Sequence, residues 1–223
     1  MKPDTVLKTD VFEEAFGCDH ILFDLGTEAR LSVGMDIACG TAGRAAARSP
    51  RGGFSFLAAD VRCLPFQAEA FDLVISTSTL DHFAIRGDLD MALKELARVL
   101  RPGGRLAITL DNPWNPMFLL LRALSRTRWS PFPLGRTMSL PELTRCLEAQ
   151  GMQVMATDWL IHNPRLVSTL LFVALRRVLG AHADLPIRAL LWFFGLFAHL
   201  PTRRFTACFV AAGARKPELE QPS

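Results

Sequence analysis

The 223-residue sequence predicts a single α/β domain: a mostly parallel sheet with helices on both faces. Three observations carry that expectation. Short apolar runs alternate with segments of helical periodicity, several of these runs end on an aspartate, and half of the residues are hydrophobic, enough to fill one core.

Taken in order, residues 9–25 (TDVFEEAFGCDHILFDL) read as one or two short amphipathic helices, with Val11, Phe12, Phe16, Ile21, Leu22 and Leu25 as the apolar side. LSVGMDIACG, from Leu31, is a buried strand entering a tight turn, and the alanine-rich TAGRAAARS is helical until Ser49-Pro50 stops it. GFSFLAAD ends a second strand at Asp60, and FDLVISTS gives a third from Phe71 to Ser78. Asp88 caps a helix whose stripe is Leu89, Leu93, Leu96 and Leu100, and Pro102-Gly103-Gly104 terminates it. A strand over 105–112 follows. Ser139-Leu140-Pro141-Glu142 is a capping box, MQVMATDWL the next strand, and RFTACFVAAGA the last.

A net charge of +3 is too weak a basic footprint for a dedicated nucleic-acid binder. Five widely spaced cysteines without a C-x-x-C pair argue against a disulfide framework or a zinc site, so no metal is expected and a cytoplasmic setting fits best. Cys39 and Cys63 read as small core fillers. The N-terminus carries acids where a signal peptide needs an apolar run, and no stretch approaches the ~20 apolar residues of a spanning helix. The expectation is a chain neither exported nor threaded through a bilayer.

In an open parallel sheet, ligands bind beyond the carboxyl ends of the strands. Asp36, Asp60, Ser76 to His82 and Asp111 all fall at such ends. The small residues Ala38-Cys39-Gly40-Thr41-Ala42-Gly43 would let a ligand lie against the backbone beside a helix N-terminus. A carboxylate one strand away can accept two hydrogen bonds from a ribose diol, and Asp60 lies 24 positions after Asp36.

MDIACGTAGR, AADVRCLPFQAEAFDLVISTSTLDHF and ALKELARVLRPGGRLAITL together resemble class I S-adenosylmethionine-dependent methyltransferases, especially the subgroup that includes quinone-ring and phospholipid methyltransferases. The likeness covers roughly residues 31–112. It implies a Rossmann-like fold, S-adenosylmethionine as cofactor, and methyl transfer. By motif, Asp36, Ala38, Gly40, Thr41 and Ala42 would line the methionine end of the cofactor, Asp60 and Val61 would flank ribose or adenine, and Ser76 would border the methyl group. Chain organisation follows: an N-terminal helical cap (1–30), a cofactor-binding half (31–112) and an acceptor-side half (113–223), all within one domain.

Two departures matter. The family's turn usually has glycine where Ala38 and Ala42 stand. Only about a dozen residues separate Thr41 from Phe54, enough for one parallel crossover to a neighbouring position. One strand and one helix therefore look deleted, so six strands are expected in place of seven, with Asp60 at either the ribose or the adenine position.

Asp81 and His82 are the catalytic candidates: they would face the methyl donor and orient or deprotonate an acceptor hydroxyl, or else cap a helix. His162, His182 and His199 read as structural. Segments 117–124, 165–180 and 187–200 are too apolar for ordinary surface helices and too often interrupted by arginine to span a membrane. They are expected as an apolar helical insertion at about 164–200 that lids a small hydrophobic acceptor, with a peripheral membrane contact as the further expectation. The rival readings are a buried helical pair, a non-catalytic protein that retains the fold, and a nicotinamide-dependent oxidoreductase, the last weakened by the missing G-x-G-x-x-G.

Overall fold

The computed structural model describes residues 2–17, 20–50, 52–125 and 135–218. Among them, seven strands form one sheet in the order β3-β2-β1-β4-β5-β7-β6. The strands are β1 (Thr5–Lys8), β2 (Leu31–Asp36), β3 (Phe54–Ala58), β4 (Phe71–Thr77), β5 (Leu100–Asp111), β6 (Gln153–Leu160) and β7 (Phe209–Arg215). Strands β1 to β5 are mutually parallel, and β7 runs antiparallel between β5 and β6.

This corrects the expectation of six strands and a deletion. Residues 5–8, inside the stretch expected to be a helical cap, form a strand wedged between β2 and β4 and paired with both. The crossover from β2 to β3 does reach only the neighbouring position, as its length requires. What the sequence reading took for the first strand is the second.

Two short helices, α1 (Phe12–Phe16) and α2 (Ile21–Gly26), follow β1. Of their expected apolar side only Val11 and Leu22 are buried; Phe12, Phe16, Ile21 and Leu25 are exposed. Helix α3 (Cys39–Arg48) hydrogen-bonds back to this region: Arg44 Nε and Arg48 donate to the carbonyl of Ala15, at 3.0 and 2.8 Å, near the end of α1.

Strand alternation distributes the core over both sheet faces. Val6 and Ile75 join Val11, Ala15, Leu22 and Ala45 on one face. Leu7 and Val74 join the larger cluster on the other, where α4 (Arg86–Val99) buries Leu89, Leu93 and Leu96 and α6 (Leu140–Ala149) buries Leu143 and Leu147. Helix α4 starts two residues before the expected cap, so Asp88 sits in its first turn. The capping box of α6 is present, with the Ser139 N–H donating to Glu142 Oε2 at 2.8 Å. Cys39 and Cys63 are exposed and do not fill the core.

The residue that hid β1 is Lys8. A charge ending a four-residue apolar strand breaks its pattern, yet Lys8 is 1% exposed, with Nζ 2.7 Å from Oε2 of the fully buried Glu14. Lys8 Nζ also donates to the Asp10 carbonyl, and Glu14 Oε1 accepts the Leu22 N–H at 2.9 Å. One ion pair thus joins the end of β1, the following turn and the start of α2. Removing one partner leaves an uncompensated buried charge, which costs about 3–5 kcal/mol. Glu14→Gln is therefore expected to lower unfolding free energy by about that amount, and Lys8→Met combined with Glu14→Leu to recover most of it, as read by urea denaturation.

Candidate active site

Because β1 to β5 run in one direction, their carboxyl ends share one sheet edge. Chain order reverses between β1 and β4, which makes that boundary the place where loops diverge and a ligand can enter. Thr9 closes its floor. It is buried, donates its N–H to the Ile75 carbonyl at 3.0 Å and its Oγ1 to Ser76 Oγ at 3.0 Å, and lies 3.1 Å from Thr79 Oγ1. Ser78 beside it adopts φ +50°, a left-handed turn stabilised by its N–H bond to the Thr109 carbonyl at 3.1 Å.

The β1–α1 turn lacks glycine. Asp10 Oδ1 accepts the Phe12 N–H at 2.8 Å, and Val11 is fully buried beneath the turn. Its Cγ1 would lie 2.8 Å from a Cβ placed on Gly34, so glycine in β2 is what admits Val11. Phe12 stands exposed immediately after the turn and stacks on Phe16 at 4.9 Å.

Asp36 ends β2, one strand away from the reversal point, and is half-buried. Its Oδ1 accepts the Ala38 N–H at 2.8 Å, and no hydrogen bond among the described residues uses Oδ2. The expected small-residue turn from Ala38 to Gly43 is instead the start of α3, with Ala38 as its N-cap. Gly40 is exposed with open space around it, Thr41 is half-buried, and Ala42 is buried in the helix interface. Asp36, Ala38, Gly40, Thr41 and Ala42 therefore do not stand at the first-strand position that the motif implied.

Asp60 follows β3, and Val61 beside it is buried. The Asp60 carboxylate is held by Arg62, whose guanidinium lies 2.6 Å from Oδ2 and 3.2 Å from Asp88 and covers the Phe83 ring at 5.2 Å. That side-chain bond lowers the Asp60 pKa; partial burial opposes it.

Ser76 is fully buried as the acceptor of Thr9 Oγ1. Asp81 is buried in the 3₁₀ turn Leu80–His82, and its Oδ2 accepts the Asp111 N–H at 3.0 Å, which ties the post-β4 turn to the end of β5. The His82 side chain lies outside the described residues. Asn112, fully buried, donates Nδ2 to the carbonyls of Arg204 and Ala207 at 2.8 and 2.9 Å. His162 meets Thr206 Oγ1 at 2.8 Å and the Trp159 carbonyl at 3.1 Å, and burial lowers its pKa. Sequence reading missed Thr9 and Asp10. An acid three residues past the short Val6-Leu7 run was the available signal for Asp10.

The described residues contain no His, Cys, Asp and Glu group arranged for a metal ion. A cavity of about 300 Å³ lined by Asp72, Arg101, Arg105 and Arg215 opens near the start of β4 and β5, the opposite sheet edge. Buried Asp72 there accepts the Asp4 and Thr5 N–H groups and pairs with Arg101, so those charges are engaged in bracing β1.

The groups at this edge that would hold a nucleoside are Asp36, with a carboxylate oxygen unused one strand from the reversal point, and Asp60 and Val61 one strand farther. The methionine end would meet Thr9, Asp10 and Phe12 where a glycine turn is absent.

Residues 16–108 match the family described as a methyltransferase domain, a stretch that begins after β1. A demethylmenaquinone methyltransferase of Mycolicibacterium paratuberculosis is 39% identical over 105 residues, covering 44% of this chain and 40% of that protein. A putative methyltransferase of Encephalitozoon cuniculi is 38% identical over 76 residues, 34% of this chain and 35% of that protein. The chain thus spans well under half the length of these relatives. A solved S-adenosylmethionine-dependent methyltransferase from Methanosarcina mazei superposes with a TM-score of 0.64 at 17% identity, covering 98% of this chain and 95% of its own. The fold is that of these methyltransferases, and the matched domain implies S-adenosylmethionine as cofactor.

Arg62→Ala should move the Asp60 titration back up toward its ordinary 3.8, as read by carboxyl-carbon NMR. A carboxylate with a depressed pKa stabilises the fold above its unfolded value and loses that contribution as pH falls through the folded one. The stability gap between wild type and variant is thus expected at pH 7 and closes below about pH 4.

Proposed function

We propose that the chain transfers a methyl group from S-adenosylmethionine to a small apolar or lipid-like acceptor. The observation that carries this reading is Asp36, a carboxylate at the carboxyl end of the strand next to the reversal point, in a sheet ordered β3-β2-β1-β4-β5-β7-β6. In this reading Asp36, because it ends β2 and not the strand at the reversal point, takes the ribose hydroxyls in place of the methionine end. Asp60 and Val61 then flank the adenine, with Arg62 holding the Asp60 side chain in one rotamer.

When bound, the cofactor supplies an electrophilic methyl carbon on a sulfonium. The residues' contribution is positional: Thr9 and Ser76 form the floor at the reversal point, Asp81 fixes the post-β4 turn against β5, and exposed Phe12 offers an apolar face beside it. His82 is the candidate base if the acceptor is a phenol or an acidic carbon; an amine acceptor needs none. The apolar acceptor is supported by the exposed apolar helices around the last strands and by the quinone-precursor methyltransferase among the relatives.

A second reading, a non-catalytic protein that keeps the fold, is favoured by the turn after β1, where Val11 fills the space and no glycine admits a ligand to the backbone. Calorimetric titration separates the two. Under the leading reading, the demethylated cofactor binds with measurable heat, Asp36→Asn weakens it roughly 10- to 100-fold through loss of charge-assisted hydrogen bonds, and label from S-adenosylmethionine enters an extractable apolar product. Absence of binding heat favours the scaffold reading and ends the enzymatic one.

A further inference from the structure

Between β6 and β7 the chain leaves and rejoins the sheet at the same edge as the candidate site, because β7 runs antiparallel to β5 and β6. This segment holds α7 (Arg165–Leu179), α8 (Asp184–Gly195) and the short α9 (Arg203–Thr206). In α8 no residue is buried, and Ile187, Leu190 and Phe194, spaced three and four apart, are its half-covered stripe. Its other faces present apolar side chains to solvent: Trp192 is 70% exposed, Leu185 79%, and Phe193 and Leu191 about half. Helix α7 adds exposed Leu170, Val173 and Val178. A contiguous sequence so apolar and so exposed exceeds what a water-facing surface ordinarily carries.

Charge identifies what covers it. Residues 165–206 contain six arginines and one acid, Asp184, a net +5. The whole chain sums to +3, so the remainder is −2. Arg176 and Arg177 end α7 and Arg188 lies in the second turn of α8, while Arg203 and Arg204 lie beyond the other end of α8. Asp184 pairs with Arg176 at 3.1 Å. Cations at both ends of an apolar stretch fit helices lying along an interface, with arginines at the headgroups and Trp192 at the acyl boundary. Insertion across the bilayer is excluded by geometry: α7 is about 22 Å long against a hydrocarbon core of about 30 Å, and its arginines would enter that core. A second copy of the chain would bring the same arginines face to face.

We infer that α7 and α8 dock this protein onto an anionic lipid bilayer, lying flat in the interface. Asn112 and His162, which clamp residues 204–207 to the ends of β5 and β6, couple the docked segment to the site edge, so that edge faces the membrane. The docking stands apart from the proposed chemistry.

The test is flotation of the full chain with vesicles of pure phosphatidylcholine or of phosphatidylcholine and phosphatidylglycerol. Binding only to the anionic vesicles, released by added salt, is expected. Arg176→Gln, Arg177→Gln and Arg188→Gln together should weaken partitioning roughly a hundredfold, about fivefold per arginine. Trp192→Ser with Leu185→Ser should abolish it, with thermal unfolding unchanged because both side chains are largely exposed. Equal or absent binding to the two vesicle types, variants that bind as wild type, or a lipid-free dimer that the tryptophan variant splits would each overturn the inference.

Discussion

The buried Lys8–Glu14 pair at the centre of the sheet conditions everything built above it. It seats a charged residue at the end of an interior strand, holds the turn that follows through the Asp10 carbonyl, and anchors α2 through the Leu22 N–H. Such a pair is costly to desolvate and tolerable only because each remaining donor and acceptor finds a partner. The turn it shapes is therefore rigid and fixed in position, and it carries Val11 inward against Gly34 rather than opening a backbone cradle.

Wedging β1 between β2 and β4 shifts the identity of every strand before β4 by one position. Asp36 moves from the reversal point to its neighbour, and the alanine- and glycine-containing segment after it becomes a helix that packs on the sheet through Ala42 and Ala45. Asp60 moves a strand farther out, where Arg62 holds it while also pairing with Asp88. Asp36 and Asp60 stay on one edge through this shift because parallel strands end together whatever their order. The turn nearest the chemistry changes character, since its residues come from a different part of the chain.

The far half of the molecule obeys a different constraint. Helices α4 and α6 bury leucine stripes against the sheet, whereas α7 and α8 carry as much apolar surface and bury almost none of it. The clamps from Asn112 and His162 hold that segment's base to the strand ends, so its exposure is a property of the fold and not of a loose terminus.

Local patterns in the sequence sufficed for the existence of β2 to β7, for Leu89, Leu93 and Leu96 of the α4 stripe and for the Ser139–Glu142 cap, because periodicity and capping chemistry act within a few residues of one another; they misplaced Leu100 and Pro102-Gly103-Gly104, which lie in β5 and not at the end of α4, and residues 204–206, which are helical and not part of the last strand. They also located Asp36, Asp60, Ser76 and Asp81 at strand ends. Tertiary structure alone decided which strand lies at the reversal point beside β4. Pairing partners are chosen across the chain, and Lys8 in a four-residue strand reads as a surface charge until Glu14 is seen to neutralise it. That one non-local fact made β1 invisible, turned seven strands into six on paper, and counted the strands that carry Asp36 and Asp60 one position too early.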